Sequence, residues 1–130
     1  MKNTMLVVLI LISAQAFSQS TGQICFIRPG AYTGAMINYR AFIDDSLVCK
    51  LKYNRHSIHT VSAGEHTVAG QVKGLSLDKG TQPLTVKVEP GKTTYISIAG
   101  VSNRAMCLEI TENSATEQLK KSKPSNCGDK

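Results

Sequence analysis

Three histidines, two adjacent aspartates and four cysteines are the groups in this chain best able to do chemistry, and their spacing limits what that chemistry is. His56 and His59 stand three apart. On an extended strand an odd separation puts two side chains on opposite faces, so one ion cannot take both without a bulge. His66 follows a glycine corner and could approach His59 across a hairpin, but two imidazoles fall short of the roughly four ligands of a closed zinc site. The histidines are therefore expected to be structural or surface residues, and no metal or other cofactor is expected. Asp44-Asp45 could be a carboxylate pair for acid–base work. That work needs one desolvated carboxyl facing an ionised one across a cleft. Adjacent acids followed by Ser46 instead suit a solvated hairpin turn. No Gly-x-Ser-x-Gly elbow is present, and the glycines from Gly70 to Gly80 lack the strand–Gly-x-Gly-x-x-Gly–helix setting of a phosphate cradle. The expectation is a protein that is not an enzyme. The alternative is a small metal-dependent or hydrolytic enzyme on the same scaffold, since fold alone does not decide function.

The cysteines take their meaning from the N-terminus. Met1-Lys2 precedes the uncharged run Met5–Ile12, and Ala16-Phe17-Ser18 supplies a small-x-small end. This is the pattern of a secretory signal peptide over residues 1–18. The apolar run is far short of the roughly 20 residues that span a bilayer, and Cys25 stands too late for a lipid anchor. An exported chain meets an oxidising compartment, so Cys25, Cys49, Cys107 and Cys127 are expected to form disulfides. The expected pairing is Cys25–Cys49, joining the first strand to the return strand of the first hairpin, and Cys107–Cys127 tying down the tail. The alternatives link the tail to the first hairpin. No Cys-x-x-Cys pair supports a metal site.

Around these residues the chain alternates as strands do. Short apolar or alternating runs fall at Gln23–Arg28, Met36–Ile43, Leu47–Leu51, Ser57–Val61, Glu65–Val72, Pro83–Val88, Thr93–Ile98 and Met106–Ile110. One motif occurs twice: Val61-Ser-Ala-Gly-Glu-His-Thr-Val68 and Val88-Glu-Pro-Gly-Lys-Thr-Thr-Tyr95. In both, a glycine (Gly64, Gly91) turns the chain between strands, helped in the second by the fixed φ of Pro90. Seven or eight short strands separated by turns predict an all-β fold, a small antiparallel β-sandwich over residues 19–112. Residues 113–130 differ. Ser114-Ala-Thr-Glu117 has capping-box spacing and Pro124 ends any helix, so a short helix within Ser114–Ser122 and a disulfide-tethered tail are expected.

Cleavage after Ser18 removes one lysine and no acid, so the formal charge falls from +6 to +5 over the 112 residues that remain. The basic residues are spread along the chain rather than massed in a stripe with aromatics, which argues against nucleic acid as a partner. With no tryptophan and four tyrosines, a sugar-stacking platform is poorly supplied.

Several segments taken in order, Cys25–Pro29, Phe42–Leu51, Ser57–His59, Gly64–Thr67, Glu89–Tyr95 and Thr111–Ala115, resemble an uncharacterised bacterial family of exported or lipid-anchored envelope proteins. The two glycine corners also resemble the Pro-Glu-Gly-Ala repeats found on prealbumin-like or carboxypeptidase-regulatory-like sandwiches. Glu89-Pro90-Gly91 is followed by Lys92, and Ala63 stands where a proline is common, so that match is partial. The resemblance implies a β-sandwich and a periplasmic or extracellular location, and it brings no catalytic residues. The functional expectation is an interaction module of the cell envelope that meets a protein or glycan through a sheet face, a sheet edge or the 74–81 loop.

Overall fold

The computed structural model describes residues 20–30, 37–72, 83–101 and 104–127. The proposed signal segment and the 74–81 loop lie outside these residues. Among the described residues nine strands and one helix follow in order: β1 (Thr21–Arg28), β2 (Tyr39–Ile43), β3 (Ser46–Leu51), β4 (Arg55–Ser62), β5 (Gly64–Val72), β6 (Leu84–Val88), β7 (Thr93–Val101), β8 (Arg104–Ile110), α1 (Glu112–Leu119) and β9 (Lys123–Pro124). They form two sheets, ordered β8-β7-β1-β4-β9 and β3-β2-β5-β6. All pairs are antiparallel except β1 with β7 and β4 with β9.

Alternation places the core between the sheets. Ile24 and Phe26 of β1, Tyr39, Ala41 and Ile43 of β2, Cys49 and Leu51 of β3, Val86 and Val88 of β6, and Ile96 and Ile98 of β7 pack as one cluster. Their neighbours Thr85 and Lys87 face solvent, as period-two patterning requires. β1 departs from the pattern because it is covered on both faces. Cys25 and Ile27 face away from the core and are buried beneath Ala115 and Leu119 of α1, with Tyr95 and Ile110 beside them. That is why the strand's apolar run is continuous rather than alternating.

The two glycine corners do more than turn the chain. Each carries it from one sheet to the other, β4 to β5 at Gly64 (φ 126°) and β6 to β7 at Gly91 (φ 71°), in backbone conformations that disfavour a Cβ. The start of β1 runs between them. Ala63 N donates to Ser20 O, while Gly91 N donates to Thr21 O and Gln23 N to Lys92 O. The approach is close enough that a Cβ on Gly22 would stand 2.5 Å from Val88 Cγ1.

Two expectations are corrected. Cys49 is bonded to Cys127, and Cys25 and Cys107 are free thiols, so neither Cys25–Cys49 nor Cys107–Cys127 forms. Cys49 points between the sheets, whereas Cys25 points out of the other sheet beneath α1. Cys107 lies on β8 and Cys127 just past β9, at opposite edges of the five-stranded sheet. Four strand spacings of about 4.8 Å separate those edges, about 19 Å in all, beyond the reach of a disulfide. Second, α1 begins earlier than Ser114. Thr111 is its N-cap, extended in backbone, with Oγ1 accepting the N–H of Ser114 at 3.3 Å. The tail after α1 then adds β9, a two-residue strand that the sequence reading did not include.

Candidate functional site

The turn and the first corner bring three of the chemically capable residues together. Asp44 and Asp45 both have positive φ (49° and 65°), the backbone of a type I′ hairpin turn, so the turn expectation holds. Asp44 is nevertheless not simply solvated. Its Oδ1 accepts the N–H of Thr67 at 2.9 Å, and its Oδ2 accepts His66 Nδ1 at 2.6 Å. On the other side of the ring, Nε2 lies 2.6 Å from the carbonyl oxygen of Ser62 and 3.4 Å from its hydroxyl. Aspartate, histidine and serine in this sequence resemble a nucleophilic triad in outline. The hydrogen bonding assigns a different role. A carboxylate and a carbonyl can only accept, so both ring nitrogens are placed to donate, which favours the imidazolium form. An Nε2 that donates cannot take a proton from a serine hydroxyl. The Asp44 hydrogen bond holds the His66 pKa above its usual value, and the Thr67 N–H, followed by His66, holds that of Asp44 below its own. The cluster is an ion-paired clasp joining the β2–β3 turn to the β4–β5 corner.

The other histidines lie on β4. His56 is opposite Ile27 and His59 opposite Ile24, so they face opposite sides of the sheet, as their spacing predicts. His56 Nδ1 is 2.8 Å from Ser122 Oγ, and burial lowers its pKa. His59 Nε2 is 2.9 Å from Ser57 Oγ, with its ring edge-on to Phe26 at 5.9 Å. Among the described residues no three of His, Cys, Asp and Glu converge as a metal site.

An open concave surface runs along β4. A cleft of about 630 Å³ is lined by Val48, residues 56–59 of β4 and the tail from Pro124 to Cys127. The tail is held there by the disulfide and by backbone bonds from Lys123 N to Asn54 O and from Ser125 N to His56 O. Those two bonds show which residues of β4 turn their backbone groups outward. Asn54 and His56 do, so by alternation Ile58 and Thr60 do as well. β9 pairs only with Arg55 and His56, and among the described residues no further strand pairs with β4 on that side. Ile58, at the middle of this stretch, is 56 % exposed.

Sequence reasoning located the histidines, the acidic turn and the corners. It missed this edge, because an edge is defined by which strands end up adjacent. The only local signal was Lys123-Pro124, a strand-incompatible pair in a central position but a suitable one at a border. The class that fold and site define is a small two-sheet β-sandwich, capped by one helix, with a strand edge partly covered by its own tail. No family model matches the chain, and no curated protein sequence matches it.

Proposed function

We propose that the chain is an exported, non-catalytic interaction module of the bacterial cell envelope that takes an extended segment of a partner protein as an added strand on β4. The observation that carries this reading is β9. The chain's own tail already pairs in parallel with the first two residues of β4, so this edge accepts a strand. The next outward-facing residues, Ile58 and Thr60, continue the same line beside an apolar-walled cleft. Strand addition draws its affinity from backbone hydrogen bonds and its selectivity from pockets for alternate side chains. The exposed Ile58 supplies such an apolar contact. Export rests on the N-terminal segment, and the Cys49–Cys127 disulfide fits an oxidising compartment. The resemblance to Pro-Glu-Gly-Ala-type sandwiches points the same way. The competing hydrolase reading draws on Ser62, His66 and Asp44, and the donating Nε2 of His66 argues against it.

A displayed library of random extended peptides, selected on the full chain, tests the proposal. Selected peptides should protect the Ile58 and Thr60 amides from hydrogen exchange. Thr60→Pro removes an outward N–H while sparing the pairing with β1, and it should weaken those peptides by about tenfold or more. Binders that protect other strands and ignore Thr60→Pro would refute it.

A further inference from the structure

Charges that are scattered along the sequence are sorted by the fold. The two corners and the Asp44–Asp45 turn define one end of the sandwich. β1 and β7 run away from that end and β2 runs toward it, so Arg28 and the end of β3 lie at the opposite end. Asp44, Asp45, Glu65, Glu89 and Glu112 all fall at or near the corner end. Lys87 and Lys92 are also there, Lys87 opposite Glu65 across the β5–β6 pair and Lys92 matched by Glu89 at 2.9 Å. The far end gathers Arg28, Lys50, Lys52, Arg55, Lys121 and Lys123. Asn54, in the β3–β4 turn, ties Lys121 there through a 2.7 Å bond from its side-chain amide to the Lys121 carbonyl.

Three of these cations share one cavity. Lys50, Lys52 and Arg55 line a cleft of about 340 Å³ with Asn38 and Asn126, and no acid is among its lining residues. Arg55 is placed by a 3.5 Å hydrogen bond from Nη1 to the Pro124 carbonyl. Its strand neighbour Arg28 is 3 % exposed, lies 3.7 Å over the Tyr39 ring and donates to the Leu51 carbonyl at 2.8 Å. A concave surface of one sign concentrates the field within it.

We propose that this cleft binds the carboxylate side chains of an acidic segment of a partner protein. Its volume admits one or two side chains, not a nucleic-acid duplex, whose phosphates would need a long basic track. It is a recess between strand edges, whereas a lipid surface is met by a projecting cluster of cations. Lysine, arginine and side-chain amides together supply the donors that carboxylate oxygens accept. The tail segment 124–126 lines both this cleft and the one along β4, so the two adjoin, but Lys50, Lys52 and Arg55 line only this one and the proposal does not depend on strand addition.

The test uses a fluorescein-labelled peptide rich in glutamate and its glutamine counterpart, titrated against the full chain by anisotropy. The glutamate peptide should bind about tenfold or more tightly than the glutamine peptide, and weaken as salt rises from about 50 to about 200 mM. Lys50→Ala/Lys52→Ala, the first half-buried and the second exposed, should lower the affinity about tenfold, and Lys87→Ala/Lys92→Ala at the other end less than about twofold. Equal binding of the two peptides would overturn the proposal, as would equal losses from the two lysine pairs. So would tighter, Lys50- and Lys52-dependent binding of a DNA duplex or of anionic phospholipid vesicles.

Discussion

At the scale of single residues, His66 and Asp44 make a pH-dependent contribution whose sign follows from their shifts. His66 is raised above 6.5 in the folded chain, so its stabilisation is complete below that value and is lost as pH rises through the folded pKa. Asp44 is lowered below 3.8, so its share is present above that value and is lost as pH falls through the folded pKa. The clasp therefore contributes most between about pH 4 and 6.5. Asp44 is half exposed, which screens the pair and holds its contribution to about 1 kcal/mol. In denaturant titrations, wild type should lose about that much relative to His66→Gln between pH 6 and 8, below the range in which the thiols of the unfolded chain ionise. A wild-type profile as flat as the variant's would remove the imidazolium. The two thiols give a second prediction. Burial pushes Cys25 up to about 11 and Cys107 up to about 12, so neither is a thiolate at neutral pH. Iodoacetamide should label both in denaturant and Cys25, beneath α1, hardly at all in the native protein. Rapid native labelling of Cys25 would mean that α1 does not cover it.

At the scale of elements, the corners and the tail are held by different means. The corners depend on glycine. Gly22→Ala would drive a methyl group into Val88 and the Glu89 carbonyl, both parts of the β6–β7 corner, and should cost about 2 kcal/mol or more by forcing the backbone apart. A midpoint shift no larger than that of a surface alanine would show that the corner relaxes freely. The tail depends on its covalent tie. α1 is eight residues long, with one fully buried side chain, Ala115, and a helix that short is marginal alone. The disulfide closes a sequence separation of 78 residues, which on chain-entropy grounds contributes about 4 kcal/mol. Cys49→Ser/Cys127→Ser should lower stability by a comparable amount. Amide exchange in Lys123 and Ser125, which bond to β4, should rise far more than exchange in β1. Unchanged protection of both amides would mean that the short strand holds the tail unaided.

At the scale of the whole molecule, β1 is the centre. It pairs with β4 on one side and β7 on the other, packs Ile24 and Phe26 into the core and covers Cys25 and Ile27 with the helix. Its amides from Ile24 to Ile27 should exchange last, at the rate of global unfolding. Faster exchange there than in β2 or β6 would contradict that placement. The same topology polarises the charge, which sets the basic end apart as a surface that no stretch of the chain displays by itself.

Local physics was enough for part of this protein. Period-two alternation decided which residues of β2 and β6 face inward, because a side chain's face follows from its parity along a strand; in β3 it held for Cys49 and Leu51, but a register shift opposite Ala41 and Phe42 sets Val48 rather than Leu47 against the core. Gly64, Pro90 and Gly91 marked their corners, since few other residues adopt those dihedrals cheaply. The odd separation of His56 and His59 settled that they face apart. Other features needed the tertiary structure. Cys49 meets Cys127 across most of the chain, and chain proximity favoured partners that the strand order keeps about 19 Å apart. Thr111 rather than Ser114 caps α1, because the strand that ends at Ile110 delivers the chain to the helix already extended. The β4 edge and the basic cleft belong to neighbours in space, and a one-dimensional pattern carries no record of which strand lies beside which.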